Sequence, residues 1–223
     1  MEQRTFEWFA ARLGCFTGSE VGKLMVKPKK KYGTFSETAK SYIMKKLAER
    51  HLIDEVRTDE EVFNEYQYIT SISSKAMKFG EETEPLARKL VMKETGEIFL
   101  ETGSIPHPNI EWFSSSPDGV TNDNSLVLEF KCPCIETCIE YRCTVHSADD
   151  LKQYNSIYYW QCIAHMAVTG AQACIFAVFN PFLKEPLHYI RIERDEEAIG
   201  ELELRVIEAN DYIYHYENLY FNK

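Results

Sequence analysis

The stretch SSSPDGVTNDNSLVLEFKCP, residues 114–133, carries three charged side chains where a buried strand has little use for them. Asp118 sits in a Ser-Pro-Asp-Gly turn, and further on Glu129 and Lys131 are embedded in the apolar run Leu126, Val127, Leu128, Phe130. Alternation along a strand sends residues two apart to the same face, so Glu129 and Lys131 point together while Leu128 and Phe130 point the other way. If the turn delivers Asp118 from a neighbouring strand, two carboxylates meet with a lysine beside them. Close carboxylates repel, and burying them is costly unless a cation compensates. Oxygen ligands without histidine favour Mg²⁺ or Mn²⁺ over zinc, and Mg²⁺ that keeps several waters is the usual companion of a phosphate substrate. Such an ion lowers the pKa of a water and polarises a phosphodiester, with Lys131 orienting the attacking hydroxide. The letters are common ones, however. On spacing alone, an exposed turn plus a solvated Glu-Lys pair describes the same residues.

The elements that must position these groups change character along the chain. Residues 5 to 13 read as a short helix, and Thr17 or Ser19 offers an N-cap for the next. SETAKSYIMKKLAERHL repeats apolar residues at helical spacing behind Ser36. A further helix is expected after Gly80, with Pro85 in its first turn and Gly96 at its end, which puts Glu84 at a helix start. Strands are then expected in GEIFLETGSIPHP, IEWFSSS and SLVLEFKCP, separated by Pro, Gly, Asn and Asp turns. SIYYWQCIAHMAVTG reads as a helix closed by Gly170, ACIFAVF as a buried strand, LHYIRIE as an alternating strand, and residues 195 to 217 as an amphipathic helix. The whole, 1–223, is expected to be a single domain with a helical part at about 1–75, a core at about 76–195 and the C-terminal helix.

Bulk properties narrow the class. A chain of 223 residues that is 44% hydrophobic can bury a full core. Its longest uninterrupted apolar stretch, Ala173 to Phe179, is far short of a membrane span, and MEQRTFEWFA lacks the apolar core of a signal peptide. A soluble, cytoplasmic protein with no membrane partner is expected. Seven cysteines without a scaffold-like spacing point to reduced thiols, and C-x-C-x3-C-x4-C over Cys132, Cys134, Cys138 and Cys143 is not a standard zinc spacing. The net charge of −10 argues against a protein coated in positive potential, yet residues 1–50 carry a local +6 and the remainder −16. The densest basic run is Lys27 to Gly33.

Six ordered blocks resemble the lambda exonuclease family, the YqaJ-like viral recombinases, within the PD-(D/E)xK nuclease superfamily. They are FEWFAARLGCFTGSEVGKLM, KFGEETEPLAR, SSPDGV, LEFKCP, YYWQCIAHMAVTG and LHYIRIERDE, spanning about residues 5 to 200. The resemblance implies an α/β (α+β) fold with a restriction-endonuclease-like core, a central mixed sheet flanked by helices. It implies metal binding by Asp118, Glu129 and Glu84 with Phe130 beside them, catalysis by Lys131, and Gln161 facing the active site. Arg12, Ser19 and Ser116 match a pocket for a 5'-terminal phosphate, where a guanidinium fork and a helix-start hydroxyl suit an anion. Met77 matches an apolar position that could wedge apart the terminal base pair.

Departures from the family pattern are Gly18 for the alanine of T-A-S, Lys29 where an arginine contacting DNA is expected, and Thr137 where a further phosphate-binding arginine is expected. Lysine keeps the charge but loses bidentate geometry, and Thr137 weakens the pocket unless Arg142 substitutes. The implied activity is Mg²⁺- (or Mn²⁺-) dependent 5'-to-3' digestion of linear double-stranded DNA, releasing 5'-mononucleotides. A ring-shaped homotrimer and a single-strand annealing protein as partner are implied with it, in a phage or prophage recombination system. Two other readings stand beside it: an endonuclease or RNA-active nuclease on the same site, and a catalytically silent DNA-binding module. The intact Asp118, Glu129 and Lys131 count against the last.

Overall fold

The computed structural model describes residues 3–29, 34–70 and 75–221, apart from the side chains at positions 76 and 77. The N-terminal part is helical: α1 (Phe6–Ala10), a short strand β1 (Phe16–Thr17), the single turn α2 (Gly18–Val21), α3 (Glu37–Arg50), α4 (Glu55–Thr58) and α5 (Glu60–Thr70). The Thr5 hydroxyl accepts from the Trp8 amide and that of Ser36 from the Ala39 amide, each satisfying one orphan donor at a helix start. Thr17 occupies the N-cap of α2 without a side-chain cap bond, and its hydroxyl lies 3.5 Å from that of Ser19.

Next comes α6 (Lys75–Thr95), and here the sequence expectation fails. The helix begins well before Gly80, so Pro85 lies in its interior and Glu84 is mid-helix rather than in the first turn. Pro85 has no N–H to give the Glu81 carbonyl, yet the helix continues through it because one face is held by the core. Ala87 and Val91 of that face are fully buried against Leu126, Leu128 and Phe130. At the far end Gly96 adopts φ +75° as expected of a helix stop.

The strands are β2 (Ile105–Pro106), β3 (Phe113–Ser115), β4 (Gly119–Val120) and β5 (Leu126–Lys131). After them come α7 (Ile135–Thr144), α8 (Ala148–Tyr154), α9 (Ser156–Thr169), β6 (Ala173–Phe179), β7 (Leu187–Glu193) and α10 (Glu196–Tyr220). A three-stranded sheet runs β1-β3-β2 and a four-stranded mixed sheet β4-β5-β6-β7, with β5 and β6 parallel and the outer pairings antiparallel. The strand expected over GEIFLETGSIPHP is realised only as β2 and one bridge, Leu100 to Val120. The last helix runs to Tyr220, a little beyond the expected end.

Both faces of β5 are buried, which explains its near-continuous apolar run. Leu126, Leu128 and Phe130 pack on α6, whereas Val127 joins the larger core with Ile163, Met166 and Phe176. The parallel β5-to-β6 connection passes through α7, α8 and α9, and α9 then lies across the sheet. Ten consecutive residues of α9, Tyr159 to Val168, are buried. Among the described residues, no helix is long and apolar enough to cross a membrane.

Candidate active site

The end of β5 carries the chemistry because β4 stops beside it. The Asp118 amide donates to the Leu128 carbonyl (2.9 Å), and the Phe130 amide donates to Asp118 Oδ2 (2.9 Å). The carboxylate thus replaces a missing ladder partner and is held beside Glu129. Arg88 from α6 donates to the Asp118 carbonyl, tying the helix that bears Glu84 to the same turn. A β-carbon at Gly119 would lie 2.7 Å from Phe99 Cβ, so only glycine lets the turn settle this closely.

Glu129 is 1% exposed. It is held from two sides: Lys131 Nζ donates to Oε1, and His165 Nε2 stands 2.7 Å from Oε2. His165 Nδ1 in turn lies 2.7 Å from the Ser115 hydroxyl. Burial first, and then the charge of Glu129, push the Asp118 carboxyl well above the usual carboxylate range. Burial would raise Glu129 as well, but Lys131 and His165 outweigh it and hold Glu129 below its usual value. For Lys131 burial works against the charged form, yet Glu129 and Asp118 more than compensate and raise its pKa. The two neighbouring carboxyls are thus pushed in opposite directions, as like charges sharing one buried site are.

The cavity above these residues has a volume of about 630 Å³ and is also lined by Arg4, Arg12, Glu84, Ser116 and Gln161. Glu84 accepts from Arg4 through both oxygens, each 2.5 Å from Nη2. Gln161 is buried on α9. Arg12 Nη1 donates to Ser116 Oγ (2.8 Å) and Nη2 lies 3.4 Å from Ser19 Oγ. Trp8 Nε1 donates to the same Ser116 hydroxyl (3.1 Å), and its ring carries the Arg12 guanidinium at 4.0 Å. The Arg12 segment is anchored from behind. Gly14 N donates to Glu49 (2.8 Å), Arg57 to the Leu13 carbonyl (3.0 Å) and Arg50 to the Gly14 carbonyl (3.1 Å).

Nine of the twelve expected site positions line this cavity; of the other three, two lie away from it and one has its side chain outside the described residues. Arg142 is committed elsewhere, to Glu185 (2.6 Å) and the Leu187 carbonyl (2.6 Å) at the start of β7, so it does not replace the arginine absent at Thr137. Lys29 is exposed and does not line the cavity. Met77 belongs to α6, but its side chain lies outside the described residues. The cysteines Cys132, Cys134, Cys138 and Cys143 are free thiols. Sequence reasoning missed Arg4, Trp8, Ser115 and His165. Trp8 and His165 stood inside quoted blocks, where a lone aromatic or histidine reads as core. Arg4 lay before the first block.

Among the described residues, no three His, Cys, Asp or Glu side chains converge closely enough to hold a metal ion by themselves. The donor set nonetheless fits a hard, partly hydrated cation: Asp118 and Glu129 carboxylates, the Phe130 main-chain carbonyl as the only hard donor of that residue, and Glu84 if Arg4 releases it.

The mixed sheet flanked by helices, with Asp118, Glu129 and Lys131 at the ends of β4 and β5, defines a PD-(D/E)xK nuclease core. The chain belongs to the YqaJ-like viral recombinase family, whose domain matches residues 7–172. It is similar to the alkaline exonuclease LHK-Exo from Laribacter hongkongensis, at 32% identity and a TM-score of 0.74 over 96% of this chain and 97% of that one. LHK-Exo in complex with dAMP gives 33% identity and a TM-score of 0.75 at the same coverage. A phage-related exonuclease from Haemophilus somnus 129PT shares the fold at 17% identity and a TM-score of 0.65, over 89% of this chain and 93% of that one. No curated protein matches the chain.

Proposed function

We propose that this chain is a Mg²⁺-dependent 5'-to-3' exonuclease of linear double-stranded DNA, releasing 5'-mononucleotides and leaving a 3' single strand. The observation that carries the reading is the shared cavity: a guanidinium with two serine hydroxyls, Arg12, Ser19 and Ser116, opens onto the space above Asp118, Glu129 and Lys131. A terminal phosphate bound by that trio would be held at a fixed distance from the scissile bond, so one nucleotide leaves per step. The dAMP in the LHK-Exo complex is a product of the kind such chemistry releases.

Asp118 and Glu129 would hold the metal, with Phe130 and Glu84 completing the set. The metal, when bound, supplies charge for the scissile phosphate and an acidified water. Lys131 keeps its ammonium in the cavity and orients the nucleophile, while Gln161 lines the same cavity. Arg12 makes a charge-assisted fork to the phosphate, with Trp8 fixing its plane. Arg4 pairs with Glu84 and Lys131 with Glu129. On the family resemblance the reading extends to strand polarity, a homotrimeric ring, an annealing-protein partner and a cytoplasmic setting.

The test is digestion of linear duplex with a 5'-phosphate or a 5'-hydroxyl, alongside a closed circle, with Mg²⁺ or chelator, for the wild type and Lys131→Ala. Metal-dependent release of 5'-mononucleotides from the phosphorylated linear substrate is expected, reduced at least ~100-fold in Lys131→Ala. Cutting of the circle would convert the reading to an endonuclease, and no cutting would leave a DNA-binding module.

A further inference from the structure

The hydrogen bonds behind Glu129 form a chain with a defined direction. Ser115, His165 and Glu129 are each 1% exposed or less, so none exchanges its partner for bulk water. A carboxylate only accepts, so with the ring neutral its proton sits on Nε2 toward Glu129 Oε2 and Nδ1 is left to accept from the Ser115 hydroxyl. Glu129 therefore fixes the tautomer, and Ser115, donating to Nδ1, holds the ring that orients the carboxylate. Oε2 faces the protein interior, whereas Oε1 faces Lys131 and the cavity.

Space for this chain comes from Gly18. A β-carbon built there would stand 1.9 Å from Ser115 Oγ and 3.0 Å from Ser115 Cβ. The alanine of the T-A-S pattern would thus push the hydroxyl off His165. The departure at Gly18 and the hydroxyl at Ser115 are one device seen at two positions.

We propose that Ser115 and His165 are positioning residues that commit one oxygen of Glu129 to the interior, so that Glu129 offers a metal ion a single, cavity-facing oxygen. This rests on the reading of Asp118 and Glu129 as metal ligands. A one-oxygen donor suits a cation that demands octahedral geometry and discriminates against larger ions that take carboxylates through both oxygens. Outer partners of metal-ligating groups typically account for ~10–100-fold in metal affinity.

The experiment measures Mn²⁺ binding by electron paramagnetic resonance on wild type, Asp118→Asn, His165→Phe and His165→Gln, with thermal unfolding as the check on folding. His165→Phe keeps a ring but no hydrogen bond, and Mn²⁺ affinity should fall ~10–100-fold. His165→Gln retains an N–H for Glu129 and an acceptor for Ser115, and should recover most of that loss. Gly18→Ala and Ser115→Ala should each weaken binding, and the double variant should be no weaker than the worse single, because both act at the same link. Wild-type affinity in a folded His165→Phe, or the same loss in both His165 variants, would overturn the relay. Failure of the wild type to bind Mn²⁺, or binding unaffected by Asp118→Asn, would instead overturn the metal site on which it rests.

Discussion

At the scale of single residues, the site is organised around charges that the fold itself makes uncomfortable. Asp118 is pushed toward its protonated form by burial and by Glu129, whereas Glu129 is held ionised by Lys131 and His165. The two carry opposite consequences for stability. Asp118 binds its proton more tightly folded than unfolded, so the metal-free protein loses stability as pH rises from the ordinary carboxylate range through the raised value. Glu129 contributes stability above its unfolded pKa, lost as pH falls through its lowered folded value. Asp118→Asn should therefore raise the melting temperature of the metal-free protein at neutral pH, by ~2–4 °C for each kcal/mol recovered, and abolish digestion. The gain should vanish in acid, where the wild-type carboxyl is protonated. Thermal melts in chelator from about pH 4 to pH 8 check this, and a melting temperature lowered by the substitution at neutral pH would contradict it. These residues were legible in sequence because a Pro-Asp turn and a Glu-x-Lys in an apolar strand conflict with their surroundings. His165 was not, since a histidine on a buried helix face carries no such conflict until its partners are known.

At the scale of elements, the trio proposed to bind phosphate depends on α3 as much as on its own loop. Glu49 accepts from Lys46 (2.8 Å) and from the Gly14 amide (2.8 Å), both beneath the turn that follows Arg12. Gly14 sits there at φ +81°, and a β-carbon would lie 2.7 Å from Arg50 Cγ, so the turn is closed on glycine. Lys46 and Glu49 side chains are 4% and 7% exposed, and removing one partner leaves a buried charge alone. Glu49→Ala should cost ~3–5 kcal/mol in denaturant unfolding, and Glu49→Gln less. In whichever variant remains folded, Arg12 loses its footing, so the preference for a 5'-phosphate over a 5'-hydroxyl should shrink while Asp118 and Glu129 still bind metal. Retention of full preference would show that the Arg12 turn holds itself. Helices with strong caps and periodicity, such as α3 behind Ser36 and α9 before Gly170, were readable from sequence. The start of α6 was not. Proline is best tolerated in a first turn, which drew the expected boundary to just after Gly80, whereas packing of Ala87 and Val91 on β5 carries the helix through Pro85.

At the scale of the whole molecule, the difficulty is that a chain of net charge −10 is read as acting on a polyanion. Much of the element order was readable from the periodicities, since helical repeats precede the strands and the buried α9 stands before β6, whereas the mixed sheet flanked by helices came from the family resemblance. How copies assemble does not follow, because surface faces have no periodic signature. Charge nonetheless constrains the answer. Binding from solution that rests on few phosphate contacts has low affinity and a shallow salt slope, and the acidic body adds repulsion. If the protein encloses its substrate, as the ring implied by the family resemblance would, persistence need not depend on that weak affinity. Loading and digestion should then separate. Protein pre-bound to a long linear duplex, started with Mg²⁺ together with excess heparin, should continue to release nucleotides from the loaded molecules, while the same trap added before the DNA should prevent any digestion. Raising salt should reduce the number of duplexes engaged far more than the length digested on each. Immediate arrest on adding the trap to pre-bound protein would mean that the chain holds DNA by surface charge alone, and the acidic body would then need a basic partner to act processively.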